Sequence, residues 1–367
     1  MPTLRWTSTM LTTIGCRKPP SWTSSSKLFL YKVYGIVVLF LVQSVTLTTI
    51  LDIVFNVKTQ NDFGDNLYLT GPMLIACCKL CSLLANRDSI LILMHAMRKK
   101  PYLPVDDDEL RIETRYDAIN ERITSMYTIS VEFCIAIVWV TSLMRDPKNK
   151  MLAFRAWHPY NYSSPILYAA TYAHQAVSVT IASLMNTAYD CLFSGLLFSI
   201  YSQLEILGHR LQQVKSGSES ARECARQHNF IYQFAMKVNE DFQLVLFVQF
   251  MASMTIICFT LYRITQTDLG SRLAETVVYA FCMLMQIFYF CWYGNEVKLK
   301  SREIPDLIFA GNWHNLDENT RKTLLMIMLR STFPIEFLSV HIVSVNLESF
   351  MAVLKTSYSA YSVLQQK

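Results

Sequence analysis

The sequence predicts an all-α, polytopic membrane protein with seven transmembrane helices. Of its 367 residues, 52% are hydrophobic and only 17% are charged, and its mean hydropathy is positive. Apolar runs of about 20 residues or more, the length needed to cross a bilayer, recur along the chain. Lysine and arginine gather in every second connecting segment, as they do in proteins that cross a membrane repeatedly. This pattern excludes an ordinary soluble domain.

Seven apolar segments are predicted to span the membrane, and together they form a single membrane domain over residues 1–367. The segments are 30–55, 68–97, 123–144, 165–205, 242–262, 273–293 and 335–365. The second is the least hydrophobic, because Lys79, Arg87 and Asp88 interrupt it. The fourth is longer than a hydrocarbon core of about 30 Å requires, so we expect it to continue into the cytosol.

The charge distribution predicts a cytosolic N-terminus and an extracellular C-terminus. Segment 1–29 is polar and lacks the short apolar core of a removable signal peptide, so we expect it to be a cytosolic N-terminal segment. The other basic connections precede spans three, five and seven, which places them in the cytosol as well. Asn161 begins the triplet Asn161-Tyr162-Ser163, a candidate N-glycosylation site in a segment that this orientation places outside.

Two connecting segments, 206–241 and 294–333, are predicted to be helical rather than loose, and we refer to them together as the anchor region. Asp317 is a candidate N-cap for a helix through RKTLLMIMLR, and Pro334 is expected to end or kink that helix before the last span. Helices that continue below the membrane would form a cytosolic block for contacts with other subunits. The alternative is that they are ordinary amphipathic connections.

No residue pattern points to catalysis, to a cofactor or to nucleic acid. The sequence contains no zinc-binding His-Glu-x-x-His helix, no Gly-x-Ser-x-Gly elbow, no phosphate-binding loop and no basic cluster interleaved with aromatics. We therefore expect a chain that is not an enzyme, with no catalytic residue, cofactor, metal site or nucleic-acid partner. Polar groups inside the predicted spans are expected to pair within the bundle, to face water-filled crevices or to act in gating. They are Lys79, Glu132, His174 and Asp190.

The outward halves of spans two, three, four and six carry the residue types of an apolar ligand cavity. Aromatic faces and polarizable methionines offer contact area to a small volatile molecule that has few polar groups. The alternative is that these side chains belong to the bundle core or to an interfacial aromatic belt. The candidate ligand-binding residues are Tyr68, Met73, Ile135, Val138, Trp139, Tyr168, Tyr172, Tyr279, Cys282 and Met283.

The last segment, 335–365, has the residue pattern of a pore-lining helix. Read as a helix from about Leu338, it carries small neutral side chains on one stripe and larger apolar ones mostly on the opposite side. Neutral oxygens on such a stripe would let partly hydrated cations pass. The alternative is that the small residues allow close packing against a neighbouring helix. The candidate pore and gate residues are Ser349, Thr356, Ser359, Val363 and Gln366, and Ala352 lies on the same stripe.

Three stretches near the C-terminus, FYFCWYGNEVKLKSREI, NWHNL and SVNLESFMAVLKTSYSAYSVL, together resemble the C-terminal signature of insect odorant receptors. The residues that carry the resemblance are Cys291, Gly294, Asn295, Ser301, Trp313, Pro334, Leu347, Phe350, Leu354, Ser357, Tyr358 and Leu364. Upstream, the chain length, the number of spans and the charge layout agree with that family. Ser339, Val340 and His341 depart from the small Thr-Ala-Gly-like turn that many relatives carry at the start of the last span.

The resemblance implies the odorant-binding subunit of a ligand-gated, non-selective cation channel, with a small volatile odorant as its ligand. It also implies a heterotetrameric channel shared with the insect odorant co-receptor, in lipid of the plasma membrane of an olfactory sensory neuron dendrite. Tyr279 is the favoured odorant contact, because it precedes FYFCWYGN at a fixed offset. Val363 is expected to be the narrow apolar gate, with Gln366 at the outer mouth and Thr356 and Ser359 along the path below.

Two alternative functions share part of this pattern. A gustatory-receptor-type ligand-gated channel would have the same topology and pore helix, but it would recognise more polar ligands. A G-protein-coupled chemoreceptor would require an external N-terminus and motifs such as Asp-Arg-Tyr or Asn-Pro-x-x-Tyr, and neither motif occurs in the sequence. The apolar cavity residues and the charge distribution favour the odour-gated channel over both.

Overall fold

The structure is a computed structural model in which almost every described element is a helix. It describes residues 4–19, 22, 24–96, 102–144, 152–216, 219–266, 271–311, 313–340 and 342–365. The helices are α1 (Arg5–Thr13), α2 (Ser25–Asn56), α3 (Gln60–Ala85), α4 (Arg87–Ala96), α5 (Asp107–Met144), α6 (Pro165–Gln212), α7 (Glu219–Gln266), α8 (Ser271–Ala310), α9 (Glu318–Ser331) and α10 (Leu347–Gln365). A 3₁₀ turn at Trp313–Asn315 precedes α9, and the strands β1 (Leu338–Ser339) and β2 (Val343–Ser344) precede α10.

Six of these helices, α2, α3, α5, α6, α7 and α8, are long and apolar enough to cross a membrane. The final helix, α10, has 19 residues and occupies the position of the seventh predicted span. Large apolar side chains such as Phe29, Phe40 and Phe133 are exposed on the outside of the bundle. Such a surface favours contact with lipid over contact with water.

The longest helices extend far beyond the spans predicted from hydropathy. Both α6 and α7 contain 48 residues, which corresponds to about 72 Å at 1.5 Å per residue. Most of the anchor region is therefore built from the same continuous helices as spans four, five and six, with α9 added. Asp317 caps α9 as predicted, because its Oδ2 accepts a hydrogen bond from the Thr320 amide at 3.2 Å.

The centre of the bundle is α6, which contacts α1, α2, α3, α5, α7 and α8. Phe193 on α6 packs against Phe242 on α7, Phe290 on α8 and Phe337 before β1, with ring centroids 5.2, 5.7 and 6.0 Å apart. Burial of each such side chain stabilises the fold by about 1.5–3 kcal/mol. This aromatic cluster joins the long helices to the segment that leads into α10.

The second predicted span, 68–97, is divided into two helices, which corrects the sequence-based boundary. It begins earlier, at Gln60, because Thr59 and Asp62 form a reciprocal capping box. It is interrupted at Asn86, where α3 ends. The Asn86 side chain donates a hydrogen bond to the backbone oxygen of Asp241 at 3.1 Å. Ser89 at the start of α4 bonds the Asp241 carboxylate at 2.5 Å, so the break is fixed to α7.

The last helix begins at Leu347 and not near residue 335 or 338, which corrects the predicted start of the pore helix. The intervening residues form the antiparallel pair of β1 and β2. Backbone amides there donate to side chains of other helices instead of forming helical hydrogen bonds. The Ile335 amide donates to Ser301 Oγ on α8 at 3.0 Å, and the Leu338 amide donates to Asn239 Oδ1 on α7 at 2.8 Å. Val340, one of the residues that departs from the family turn, has a φ of 48°, which is incompatible with a regular helix.

Candidate ligand cavity and pore helix

A cavity of about 140 Å³ lies among α3, α5, α6 and α8. These helices correspond to the predicted spans two, three, four and six. The lining residues are Tyr68, Leu69, Pro72, Met73, Tyr127, Val131, Cys134, Ile135, Ile137, Val138, Phe154, Val179, Ala182, Ser183, Asn186, Thr187, Val278, Tyr279, Cys282, Met283 and Gln286. Most of these side chains are aliphatic, aromatic or sulfur-containing, so the cavity offers shape and dispersion contacts above all.

Two tyrosines from different helices form one wall of the cavity. The rings of Tyr68 on α3 and Tyr279 on α8 have centroids 4.0 Å apart. The Tyr279 hydroxyl is buried and has no hydrogen-bond partner among the described residues, and the same holds for Asn186 Oδ1 on α6. A buried polar atom without a partner is costly, so a ligand that forms a hydrogen bond with Tyr279 would remove that cost.

Seven of the ten candidate ligand-binding residues lie together on the cavity wall, and three lie behind it. The seven are Tyr68, Met73, Ile135, Val138, Tyr279, Cys282 and Met283. Trp139 packs against Phe154 with ring centroids 5.6 Å apart, and its Nε1 donates to Thr180 Oγ1 at 3.2 Å. Tyr172 packs against Trp139, and Tyr168 against Tyr172. These three residues support the wall without lining the cavity.

The sequence-based set missed the contribution of α6 and of the loop that precedes it. Val179, Ala182, Ser183, Asn186 and Thr187 all line the cavity. Their spacing of three and four residues places them on one helix face, so helical periodicity could have identified them. Phe154 comes from the loop over residues 152–164, and no sequence pattern placed that loop over the cavity.

A fully buried ion pair lies behind the cavity wall and is bonded to two of the lining residues. Asp190 on α6 pairs with the ammonium of Lys79 on α3. Two cavity residues complete the site: the Tyr127 hydroxyl donates to Asp190 Oδ2 at 3.1 Å and Gln286 Nε2 donates to the same oxygen at 2.6 Å. A buried carboxylate is stable only with such partners. The network therefore joins the four helices α3, α5, α6 and α8 at the cavity wall.

The same network reaches the helix that packs on α10. Gln286 on α8 accepts a hydrogen bond from Gln249 Nε2 on α7 at 3.1 Å, and Gln249 also bonds Ser253 Oγ at 3.0 Å. One turn further along α7, the backbone oxygen of Met254 accepts from Ser357 Oγ on α10 at 3.3 Å. Helix α7 thus contacts the cavity network through a side chain and the last helix through a backbone oxygen.

The other two polar residues expected inside the spans also have partners in the bundle. Glu132 on α5 accepts a hydrogen bond from Ser183 on α6 at 2.9 Å. His174 on α6 bonds Ser44 on α2 at 3.0 Å. Together with Lys79 and Asp190, they follow the expectation that these groups pair within the bundle.

The loop over residues 152–164 covers one end of the cavity and is fixed to α2, α3 and α6. Arg155 forms an ion pair with Asp52 on α2 at 3.0 Å and another with Asp62 on α3. The Phe154 backbone exchanges two hydrogen bonds with the Gln175 side chain on α6, at 3.2 and 3.0 Å. Asn161 is exposed in this loop, and its side-chain oxygen accepts from the Ser163 amide at 3.0 Å.

The last helix packs on α7 and α8 and leaves most of its small-residue stripe uncovered. Val353 and Ser357 are buried against the bundle, and the Phe350 ring lies 5.5 Å from Phe288 on α8. The stripe residues that are exposed are Ala352, Thr356, Ser359 and Val363. Ser349 is half-buried and bonds Ser344 Oγ at 3.2 Å. Gln366 lies outside the described residues.

Comparison with known proteins places the chain in a family. The sequence profile of a family described as 7tm Odorant receptor matches residues 59–358. The chain belongs to this family of insect odorant receptors. The match confirms the resemblance inferred from the C-terminal residues, and it agrees with the expectation that this odorant receptor is not an enzyme.

Individual relatives support the assignment, and one solved structure shares the fold. This odorant receptor is similar to Odorant receptor Or1 of Anopheles gambiae, with 28% identity over 275 residues that cover 65% of this chain and 66%, slightly less than two thirds, of Or1. Odorant receptor 46a, isoform A, of Drosophila melanogaster is 23% identical over 346 residues, covering 91% and 90% of the two chains. The insect olfactory receptor OR5 from Machilis hrabei, solved in complex with eugenol, matches 99% of this chain and 97% of its own with a TM-score of 0.88 at 16% identity. The shared fold confirms the predicted all-α, multi-span fold class.

Proposed function

We propose that this odorant receptor is the odorant-binding subunit of a ligand-gated, non-selective cation channel. The observation that carries the proposal is the physical connection between cavity and last helix: Gln286 lines the cavity, bonds Gln249 on α7, and α7 packs along α10. A ligand that binds one arrangement of these helices more tightly shifts the population toward it. Odorant binding would in this way favour the arrangement in which the outer end of α10 moves away from the pore axis.

The cavity supports a small, mostly apolar and volatile odorant with one polar atom. Its volume of about 140 Å³ suits a small ligand. Its mostly aliphatic and aromatic lining offers the ligand few hydrogen-bond partners. The buried hydroxyl of Tyr279 can donate to a ligand oxygen. We therefore assign Tyr279 the main polar contact, with Tyr68, Met73 and Met283 supplying dispersion contacts. The remaining candidates on the wall are Ile135, Val138 and Cys282, and Trp139, Tyr168 and Tyr172 act from behind it.

The pore is assigned to the uncovered stripe of α10. Thr356 and Ser359 supply hydroxyl oxygens for a cation path, with Ser349 at the other end of the helix and Val363 as the apolar constriction. Val363 is 60% exposed in the single chain, which leaves it free to face a shared axis. Gln366 is proposed at the outer mouth, in an orientation with the N-terminus in the cytosol, the C-terminus outside and Asn161 available for glycosylation.

The partner is proposed to be the insect odorant co-receptor, in a heterotetramer held together largely by the anchor region. Four large apolar side chains of this region are 68% to 70% exposed in the single chain: Phe309 on α8, Met326 and Leu329 on α9, and Phe333 just after α9. A cytosolic surface of this kind normally contacts another protein. The proposed location is the plasma membrane of an olfactory sensory neuron dendrite.

Whole-cell current in cells that express this chain, with and without an insect odorant co-receptor, tests the proposal. A panel of volatile odorants is expected to evoke a rapid cation current that persists under G-protein inhibition and appears only with the co-receptor. A Tyr279→Phe variant keeps the ring and removes the hydroxyl, so its response to oxygen-containing odorants should fall about tenfold, the loss expected for one buried hydrogen bond. Responses to hydrocarbons of similar size should change little.

The two alternative functions are not favoured, and the same cells separate them from the proposal. A gustatory-type channel would respond to polar tastants in preference to volatile apolar compounds. A G-protein-coupled chemoreceptor would lose its response under G-protein inhibition and would expose an N-terminal tag on intact cells. Detection of that tag only after permeabilisation supports the cytosolic N-terminus.

A further inference from the structure

Two cysteines from different helices face each other inside the cavity. Cys134 on α5 and Cys282 on α8 both line it, and their Sγ atoms are 2.8 Å apart. A disulfide bond is about 2.05 Å long, so the two sulfurs lie within 1 Å of bonding distance. Both cysteines are free thiols.

The two thiols have each other as partner, which distinguishes them from cysteines elsewhere in the bundle. Cys77, for comparison, contacts Thr46 Oγ1 and Gln43 Oε1, and Cys191 contacts Thr128 Oγ1. The two cysteines also lie on different helices and are 148 residues apart in the sequence. A bond between them would therefore link α5 and α8 covalently across the cavity.

We propose that Cys134 and Cys282 form a reversible disulfide across the odorant cavity when a small uncharged peroxide enters it. One thiolate attacks a peroxide oxygen, the O–O bond breaks, and a sulfenic acid and one water result. The second sulfur attacks the sulfenic sulfur, the S–S bond forms, and the hydroxyl leaves as a second water. In total two thiols and one hydrogen peroxide give one disulfide and two waters, and the two electrons lost by sulfur reduce the peroxide.

The bridge changes odorant recognition because of its position in the wall. Cys134 is next to Ile135 and Cys282 is next to Met283, and all four residues line the cavity. Once α5 and α8 are linked, these walls cannot separate to admit or accommodate a ligand. The oxidised receptor is therefore expected to give a smaller odorant-evoked current, a consequence that rests on the proposed channel function.

Differential alkylation of the full-length receptor tests the bridge without reference to current. Purified receptor is first treated with hydrogen peroxide and then denatured in the presence of N-ethylmaleimide, which blocks the free thiols. It is then reduced with dithiothreitol and labelled with iodoacetamide. We expect Cys134 and Cys282 to carry the second label, and prior treatment of the oxidised receptor with dithiothreitol to return both to the first. The proposal is overturned if both residues carry the first label after peroxide.

Single variants identify the partners. In Cys282→Ser, Cys134 is expected to lose its protection from the first label, and the reverse is expected in Cys134→Ser. The matched control is Cys81→Ser, which removes an exposed thiol on α3 and should leave the bridge intact. Continued protection of Cys134 in Cys282→Ser would assign it a different partner and overturn the pairing.

Current recordings then test the consequence of the bridge. In wild type and Cys81→Ser, peroxide should reduce the odorant-evoked current and dithiothreitol should restore it, whereas Cys134→Ser and Cys282→Ser should not respond to either reagent. Full bridging with an unchanged current would overturn the effect on recognition. Bridging in a receptor that never conducts would uphold the disulfide and count against the channel function instead.

Discussion

At the residue scale, the most constrained contact is the ion pair of Lys79 and Asp190. Both side chains are essentially inaccessible to solvent, so each charge depends on the other and on the hydrogen bonds around them. Asp190→Ala would leave the Lys79 ammonium buried without a carboxylate, which costs about 3–5 kcal/mol. We expect a large loss of receptor at the cell surface and a lower thermal midpoint in detergent.

The double variant Lys79→Met, Asp190→Leu separates charge from packing. Replacing a buried ion pair with apolar residues of similar volume is often neutral for stability, so this variant should regain most of the surface expression. Its odorant response should remain weak, because Tyr127 and Gln286 lose the acceptor that orients them. A double variant as unstable as Asp190→Ala would show that packing, and not the unpaired charge, explains the loss.

His158 gives the covering loop a dependence on pH. Burial lowers the pKa of His158, and repulsion from His174 adds to this effect, while Asp52 opposes it. Its Nε2 is buried and has no hydrogen-bond partner among the described residues. Because the folded-state pKa lies below the unfolded value of about 6.5, His158 supports the loop above that pH and loses this support as pH falls through its lowered pKa.

Acidification of the outer solution is therefore expected to loosen the loop over the cavity. Between about pH 7.5 and about pH 5.5, the wild-type odorant-evoked current should decline. His158→Gln removes the titrating group and should show a flatter profile over the same range. Equal pH profiles for the two receptors would show that another group controls the effect.

At the element scale, the turn before the last helix depends on a glycine in α8. A Cβ on Gly294 would overlap the backbone oxygen of Val345, and that backbone is held by the hydrogen bond from the Val345 amide to Phe337 O at 2.8 Å. Gly294→Ala should therefore displace the strand pair and the start of α10, at a cost of about 1–3 kcal/mol. The expected results are a lower thermal midpoint and a several-fold smaller odorant-evoked current.

Gly64→Ala is the matched control for Gly294→Ala. A Cβ at Gly64 would lie 3.8 Å from Phe259 Cδ1, which is an ordinary van der Waals distance. The same glycine-to-alanine change on α3 should leave both measurements close to wild type. If the two variants behaved alike, the close approach of α8 to Val345 would not be what positions α10.

The gate assignment on α10 predicts a change in current without odorant. Val363 lies exposed at the end of the small-residue stripe, and an apolar constriction closes a pore by excluding water. Val363→Ser should admit water and raise the ligand-free current several-fold in the co-expressed channel. Met351→Ala, an exposed change off the stripe, serves as the control. Unchanged basal and evoked currents in a well-expressed Val363→Ser receptor would remove Val363 from the gate.

The sequence predicted which segments are helical. It predicted less well where the helices end and which residues face the cavity. Hydropathy detects apolar length, so the spans were identified, but it cannot detect the side-chain hydrogen bonds that stop a helix at Asn86 or that delay α10 until Leu347. Seven of the fifteen cavity residues on α3, α5 and α8 were predicted, and four of those seven are tyrosines or methionines. The lining residues of α6 share one helix face and could have been found from their spacing, but they are small, polar or aliphatic and carry no aromatic or methionine signal.

At the scale of the whole molecule, the single chain leaves an apolar patch on its anchor region. Met326, Leu329 and Phe333 succeed one another at spacings of three and four residues, which aligns them along one side of α9 and its C-terminal end. Each is about 70% exposed. Leaving such a side chain in water is unfavourable by about 1.5–3 kcal/mol compared with burying it against another subunit. This patch is the strongest indication that the folded chain is an incomplete assembly.

A double variant, Met326→Glu with Leu329→Glu, tests the patch as a subunit interface. Two carboxylates there would be hydrated in the free chain and desolvated in the assembly, so we expect the folded receptor to persist while its co-purification with a tagged co-receptor falls at least tenfold. The control is Val105→Glu, which introduces one carboxylate at an 83% exposed apolar residue remote from α9 in sequence. If the double variant co-purified as well as wild type, this face would not be part of the interface. If co-purification were lost in both variants, added charge in general would explain the effect. Selective loss in the double variant, with an unchanged thermal midpoint of the isolated receptor, would show that this face of α9 binds the co-receptor.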